Sequence, residues 1–299
     1  MITVEHLTKR YGAFTAVNDV SFQCEPGTVT GFLGPNGAGK STTMRMICSL
    51  TPPTSGTATI DGVAYRDLAN PGRHVGVLLD ASAQHAGRTG REILAVSAMA
   101  LGVDSRRVDE LLELVGLSGA AAKRRVKNYS LGMRQRLGIA HALLGDPSVL
   151  ILDEPANGLD PEGIYWMRGL LRDFADRGGT VMLSSHLLRE VEAVADHLVV
   201  IGQGRIAADD AKDALLTGGG LVVRALDPPA LGEVLTRAGI SHRAGDDATF
   251  AVDAPAETVG RLAAQAGVAL LELRPADSGG LEELFLRLTT VGDATTEVV

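Results

Sequence analysis

The segment Gly34-Pro35-Asn36-Gly37-Ala38-Gly39-Lys40-Ser41 constrains this chain more than any other feature. It fits the spacing GxxxxGK[ST], follows the apolar run 29–33 and precedes a helix-forming stretch over 41–49. Glycines let a backbone curl so that successive amide N–H groups point inward at phosphate oxygens, and the dipole of the following helix favours the same anion. In such a cradle Lys40 is placed to reach the β- and γ-phosphates of a nucleotide and the Ser41 hydroxyl to ligate Mg2+, with Thr42 beside them. An isolated glycine turn of this spacing would mean little; the flanking strand and helix make it specific.

A second segment, Val149-Leu150-Ile151-Leu152-Asp153-Glu154-Pro155, is an apolar strand that ends in two carboxylates. Paired acids at a strand end are most often a solvated rim, but beside a phosphate loop Asp153 is placed to hold Mg2+. Alternation along a strand sends Glu154 to the opposite face, from which it is expected to polarise a water for attack on the γ-phosphate.

Around these motifs the chain reads as globular, with 45% hydrophobic and 21% charged residues over a length of 299 that suggests about two domains. The formal net charge of -8 argues against a nucleic-acid partner. The 13 acidic and 6 basic residues from Asp213 onward give that part -7, so a domain boundary is expected near residue 212. Cys24 and Cys48 are read as reduced core thiols, since their spacing fits neither a zinc site nor a disulfide framework. The first residues lack the pattern of a signal peptide, and no apolar run is long enough to span a bilayer, so a cytoplasmic location is expected.

Short strands are expected before the turn Glu25-Pro26-Gly27, and helices over about 88–145, where Val108, Leu111, Leu112 and Val115 repeat with helical period. Strands at 149–152, 180–184 and 197–201 alternating with helices at 161–177 and 187–195 imply a parallel, covered sheet. The fold class is therefore α/β. After Gly218-Gly219-Gly220 the order becomes βαββαβ, which suggests a small ferredoxin-like α+β domain over 213–290, closed by a helix at 280–288 and a loose tail at 291–299.

The segment Tyr129-Ser130-Leu131-Gly132-Met133-Arg134-Gln135-Arg136 stands before Asp153 and resembles the signature LSGGQxQR. With the two motifs above it makes residues 1–212 similar to the ATP-binding subunits of ABC transporters, a branch of the P-loop NTPases. The resemblance implies ATP and Mg2+ as ligands, and it assigns Ser130 and Gly132 to the γ-phosphate held by an opposite subunit. Asn157-Gly158-Leu159-Asp160 resembles the D-loop and adds Asp160 to the nucleotide contacts; His186 resembles the histidine that orients Glu154 and water; Tyr11 resembles the aromatic that stacks on adenine. Leu131 and Met133 depart from the commonest signature. Where the family usually carries a glutamine this chain has Asp80, a further hard oxygen ligand for Mg2+, and the nearest glutamine is Gln84. His74, His85 and Trp166 match no motif and are read as structural.

The same resemblance implies an ATPase that works as a homodimer, sits on the inner face of the cell membrane and drives a separate multi-span permease. The C-terminal stretch, with Leu281, Leu284, Phe285 and Leu288 at helical spacing, resembles the tail of bacterial drug and antibiotic exporters of the ABC-2 type. A single phosphate loop sets the chain apart from the tandem ABC proteins of ribosomes. A regulatory nucleotide-binding module without turnover is the alternative, motivated by Asp80 and the altered signature and opposed by an intact Glu154.

Overall fold

The chain opens with two long antiparallel strands, β1 (Ile2–Tyr11) and β2 (Phe14–Cys24), joined at Gly12. They are longer than their alternation suggests because bulges break it: the register shifts between Val4 and Leu7, and His6 and Asp19 adopt φ of 50° and 57°. After β3 (Val29–Leu33) and helix α1 (Lys40–Ile47), strand β4 (Ser55–Ile60) returns to the other edge of β1, giving a three-stranded sheet β2-β1-β4. The computed structural model describes residues 1–217, 220–245, 248–275 and 281; the chain divides into two compact units, one over Met1–Asp210 and a second beginning at Ala211.

In the first unit the chain continues through β5 (Val75–Leu78), then helices α2 (Gly90–Leu101), α3 (Arg106–Leu114), α4 (Ala120–Lys123) and α5 (Leu131–Ala142). Thr89 and Glu92 cap α2 reciprocally and Gly102 ends it at φ 64°. In α3 the apolar period is realised: Val108, Leu111 and Leu112 are buried, as is Val115 just beyond it. Strand β6 (Val149–Leu152), helix α6 (Pro161–Asp176), strand β7 (Thr180–Ser184), helix α7 (Leu188–Val194) and strand β8 (His197–Gly202) complete the alternation, and β9 (Arg205–Ala211) adds an edge. The six-stranded order is β5-β6-β7-β3-β8-β9, with β5 through β8 paired in parallel. Strands β3, β6 and β7 are buried along their whole length, as a sheet covered on both faces requires. Phe22 of β2 stacks on Phe32 of β3, ring centroids 5.2 Å apart, and so fastens the antiparallel sheet to the parallel one with a contact worth about 0.5–1.5 kcal/mol beyond its buried area.

Cys24 and Cys48 are free and buried, and burial pushes both thiols up to about 12, which keeps them protonated and inert. Trp166 lies under the Arg136 guanidinium at 4.8 Å, a packing role.

The second unit begins with α8 (Lys212–Thr217) and runs β10 (Leu221–Ala225), α9 (Pro228–Arg237), β11 (His242–Ala244), β12 (Thr249–Val252), α10 (Ala256–Gln265) and β13 (Leu270–Pro275). This is the expected βαββαβ order, and its strands pair antiparallel as β11-β12-β10-β13. Val223, Leu231, Leu235 and Val259 form its core. Apart from Leu281, which is buried, the expected helix at 280–288 and the tail at 291–299 lie outside the described residues.

Candidate nucleotide-binding site

The phosphate loop leaves the C-terminal end of β3, where ligands of parallel sheets gather. Its last glycine, Gly39, has φ 107°, and a Cβ there would lie 2.6 Å from the Ala16 carbonyl, so only glycine fits. Gly34 and Ala38 are buried as backbone supports. Lys40 is also buried; its ammonium donates to the carbonyls of Gly34 at 2.6 Å and Pro35 at 3.2 Å, so the loop holds its own cation. Burial lowers the Lys40 pKa from its ordinary value, opposed by the carboxylates of Glu154 and Asp153. A cavity of about 420 Å³ opens over the loop, lined by Pro35, Asn36, Gly37, Gly39, Lys40, Ser41 and Thr42, by Asp153 and Glu154, and at its far side by Tyr11, Phe14 and Ala16.

The carboxylates are tied into one hydrogen-bond chain. Ser41 Oγ donates to Asp153 Oδ2 at 2.7 Å, and the buried Ser184 hydroxyl at the end of β7 donates to Asp153 Oδ1. Ser184 Oγ in turn accepts from the Glu154 N–H at 3.0 Å. The Glu154 carboxylate accepts from the His186 N–H at 3.2 Å and lies 2.6 Å from His186 Nδ1. Alternation placed Glu154 on the opposite face of the sheet; the structure corrects this. The strand ends at Leu152, and Glu154 turns with φ 52°, a left-handed conformation costing about 1–3 kcal/mol for a non-glycine residue, so that both acids line the same cavity.

The remaining predicted residues lie off the cavity wall. Ser130 caps α5, accepting from the Met133 N–H at 3.1 Å, and Gly132 packs so closely that a Cβ would sit 2.7 Å from the Gly158 carbonyl. Asp160 caps α6 through the Gly163 N–H at 2.9 Å. Asp80 accepts from the N–H and hydroxyl of Ser82, bonds that hold its carboxyl below the usual range. Together with Gln84, His85 and Arg88 it borders a separate recess of about 380 Å³ between β5 and the helical insertion. A larger cavity of about 600 Å³, bordered by Glu5, His6 and Asp209, contains none of the motif residues.

A family described as ABC transporter matches residues 17–157. The bacitracin transport ATP-binding protein BcrA of Bacillus licheniformis is 43% identical over 209 residues, spanning 69% of this chain and 68% of that protein. The chain belongs to the ABC transporter ATP-binding family. The Nod factor export ATP-binding protein I of Burkholderia orbicola is 36% identical over 96% of both chains. Among solved structures, one described as the ATP binding subunit of an ABC transporter superposes with a TM-score of 0.66 at 30% identity, covering 72% of this chain and 91% of that one. Residues 219–282 match a family described as a domain of unknown function.

As an ABC ATP-binding subunit, the chain binds and hydrolyses ATP. Its residues suit Mg2+: a hydroxyl and a carboxylate 2.7 Å apart are hard oxygen donors. Three contributors escaped the motif reading. Phe14 signals itself only as a second aromatic in the Tyr11 hairpin, Ser184 as a polar residue ending an apolar strand, and Gln135 as part of the signature whose side chain reaches the Glu154 carbonyl at 2.9 Å.

Proposed function

We propose that this chain powers export of a drug-, antibiotic- or lipid-like molecule by driving a separate multi-span permease from the inner face of the cell membrane. The observation that carries the reading is the unbroken hydrogen-bond chain Ser41–Asp153–Ser184–Glu154–His186 at the mouth of the phosphate loop. Lys40, freed from the carbonyls of Gly34 and Pro35, binds the β- and γ-phosphates, and the loop N–H groups orient them. Tyr11 stacks on adenine. Ser41 and Asp153 would hold Mg2+, which when bound would neutralise charge on the phosphate oxygens. Glu154 takes the proton of the attacking water, with His186 keeping its carboxylate turned into the cavity.

Residues 1–212 form the nucleotide domain in this reading, with about 88–145 as its helical subdomain, and 213–290 an accessory domain. The names of the relatives, bacitracin transport and Nod factor export, support an exporter over an importer. The recess bordered by Asp80, Gln84 and Arg88 offers the permease a contact that touches both sheet and helical insertion.

Tagged Glu154→Gln protein, purified from gently solubilised membranes with Mg-ATP, tests the proposal. It should carry a stoichiometric multi-span protein and show no turnover. A variant found wholly in the cytosolic fraction without such a partner would overturn the transport reading, and unchanged turnover would overturn Glu154 as the base.

A further inference from the structure

Both polar groups of the Glu154 backbone are held by side chains from other elements. Its N–H donates to Ser184 Oγ of β7 at 3.0 Å, and its carbonyl accepts from Gln135 Nε2 of α5 at 2.9 Å, beside the Asn157 N–H of its own turn at 3.1 Å. Ser184 is fully buried and Gln135 is 3% exposed, so both bonds are shielded from competing water. The Ser184 hydroxyl has one hydrogen, which goes to Asp153 Oδ1, and this leaves its lone pairs for the Glu154 N–H; its orientation is fixed from both sides. The residue so gripped stands at φ 52°, a backbone state that persists only where its surroundings enforce it.

We propose that Ser184 and Gln135 form a clamp that sets the catalytic carboxylate, holding the Glu154 peptide in its left-handed turn so that the side chain faces the cavity beside Asp153. The inference rests on the reading of Glu154 as the base. Without the clamp the residue relaxes to an extended conformation and its carboxylate leaves the attack position, while the phosphate loop is untouched. Ser184 and Gln135 are positioning residues, since neither lines the cavity. Gln135 belongs to the helix whose first turn carries Ser130 and Gly132, so any displacement of α5 from β6 loosens the base.

The full-length protein is to be assayed as Ser184→Ala, Ser184→Thr, Gln135→Met and the double variant, beside Glu154→Gln, for ATP affinity, KM and kcat. Misplacing a reacting group costs about tenfold to a hundredfold in rate, so Ser184→Ala and Gln135→Met should each lower kcat by that factor; ATP affinity and KM should stay nearly unchanged in Gln135→Met, whereas Ser184→Ala also loses the bond to Asp153 and is judged on kcat. Ser184→Thr, which keeps the hydroxyl, should restore the rate. The double variant should be little slower than the slower single one, because both act through one peptide. The clamp is overturned if Ser184→Ala and Gln135→Met keep the parental kcat, if threonine is as slow as alanine, or if in Gln135→Met affinity falls in step with rate. Should Ser184→Ala fail to fold, Gln135→Met breaks the grip from a different element and carries the same expectation. Glu154→Gln separates the two ideas: dead Glu154→Gln with active clamp variants refutes the clamp alone, whereas an active Glu154→Gln refutes the base.

Discussion

Tyr11 and Phe14 leave 52% and 64% of their surfaces exposed at the rim of the cavity, and Lys9 Nζ lies 5.0 Å from the Tyr11 ring centroid. In the proposed reading, these large aromatics, held out of the core at the ends of a hairpin, form a stacking platform for adenine. Base–aromatic stacking is worth about 1–3 kcal/mol per base, and each 1.4 kcal/mol is tenfold in affinity. Tyr11→Ala with Phe14→Ala should therefore weaken ATP binding by about tenfold or more while leaving kcat at saturation near the parental value, and Tyr11→Phe should bind normally. Calorimetric titration of each variant checks this; unchanged affinity in the double variant would place adenine elsewhere. The sequence singles out only Tyr11, because it resembles a family position. Phe14 depends on a hairpin geometry that brings it to the same rim. Asp80 shows the reverse: a carboxylate at a motif position reads as a metal ligand, yet its oxygen is engaged by Ser82 and it borders a different recess.

Among the elements, strands were legible where burial is two-sided. The runs 149–152 and 180–184 coincide with β6 and β7, since a parallel strand covered on both faces is buried along its whole length. Strand β9 escaped because it is a mostly exposed edge, Arg-Ile-Ala-Ala-Asp-Asp-Ala, without an apolar run. Its signal was the two-residue turn Gln203-Gly204, with φ 48° and 77°, which matches a tight hairpin. The altered signature is explained at the same scale. Leu131 replaces a small residue of the commonest pattern, and its side chain occupies the space that a Cβ on Gly158 would need, with Leu131 atoms 2.4–2.9 Å from that position. The start of α5 and the turn before α6 are thus shaped to each other. Gly158→Ala adds this clash to the strain of φ 75° and should cost about 1–3 kcal/mol. Adding Leu131→Gly should recover the steric part and leave the backbone strain. Thermal unfolding of the two single variants and the double one measures the coupling; strictly additive losses would show that the two turns do not constrain each other.

For the whole molecule, the reading of the chain as one half of a nucleotide-bridged dimer starts from the cavity wall. Lys40, Ser41, Asp153 and Glu154 line the cavity, yet Ser130, Leu131 and Gly132 do not, and Leu131 stands 49% exposed at the start of α5. In the proposed reading, this half-exposed leucine beside the exposed Ser130 at the start of a helix is the surface that meets a nucleotide presented by another copy. ATP would then favour association, because it would be bound from both sides only in the dimer, and the dimer would gain as much stability as the nucleotide gains in affinity. Glu154→Gln protein should sediment as a dimer with Mg-ATP and as a monomer with ADP, with the transition moving to lower protein concentration as ATP is raised. Leu131→Glu placed in the same background sharpens the test. The carboxylate would face the phosphates of the opposite copy and abolish the dimer, whereas the monomer should still bind ATP because residue 131 is no part of its own cavity wall. A Leu131→Glu protein that still dimerised with ATP would mean that α5 begins away from the interface, and that the γ-phosphate is enclosed by some other part of the chain.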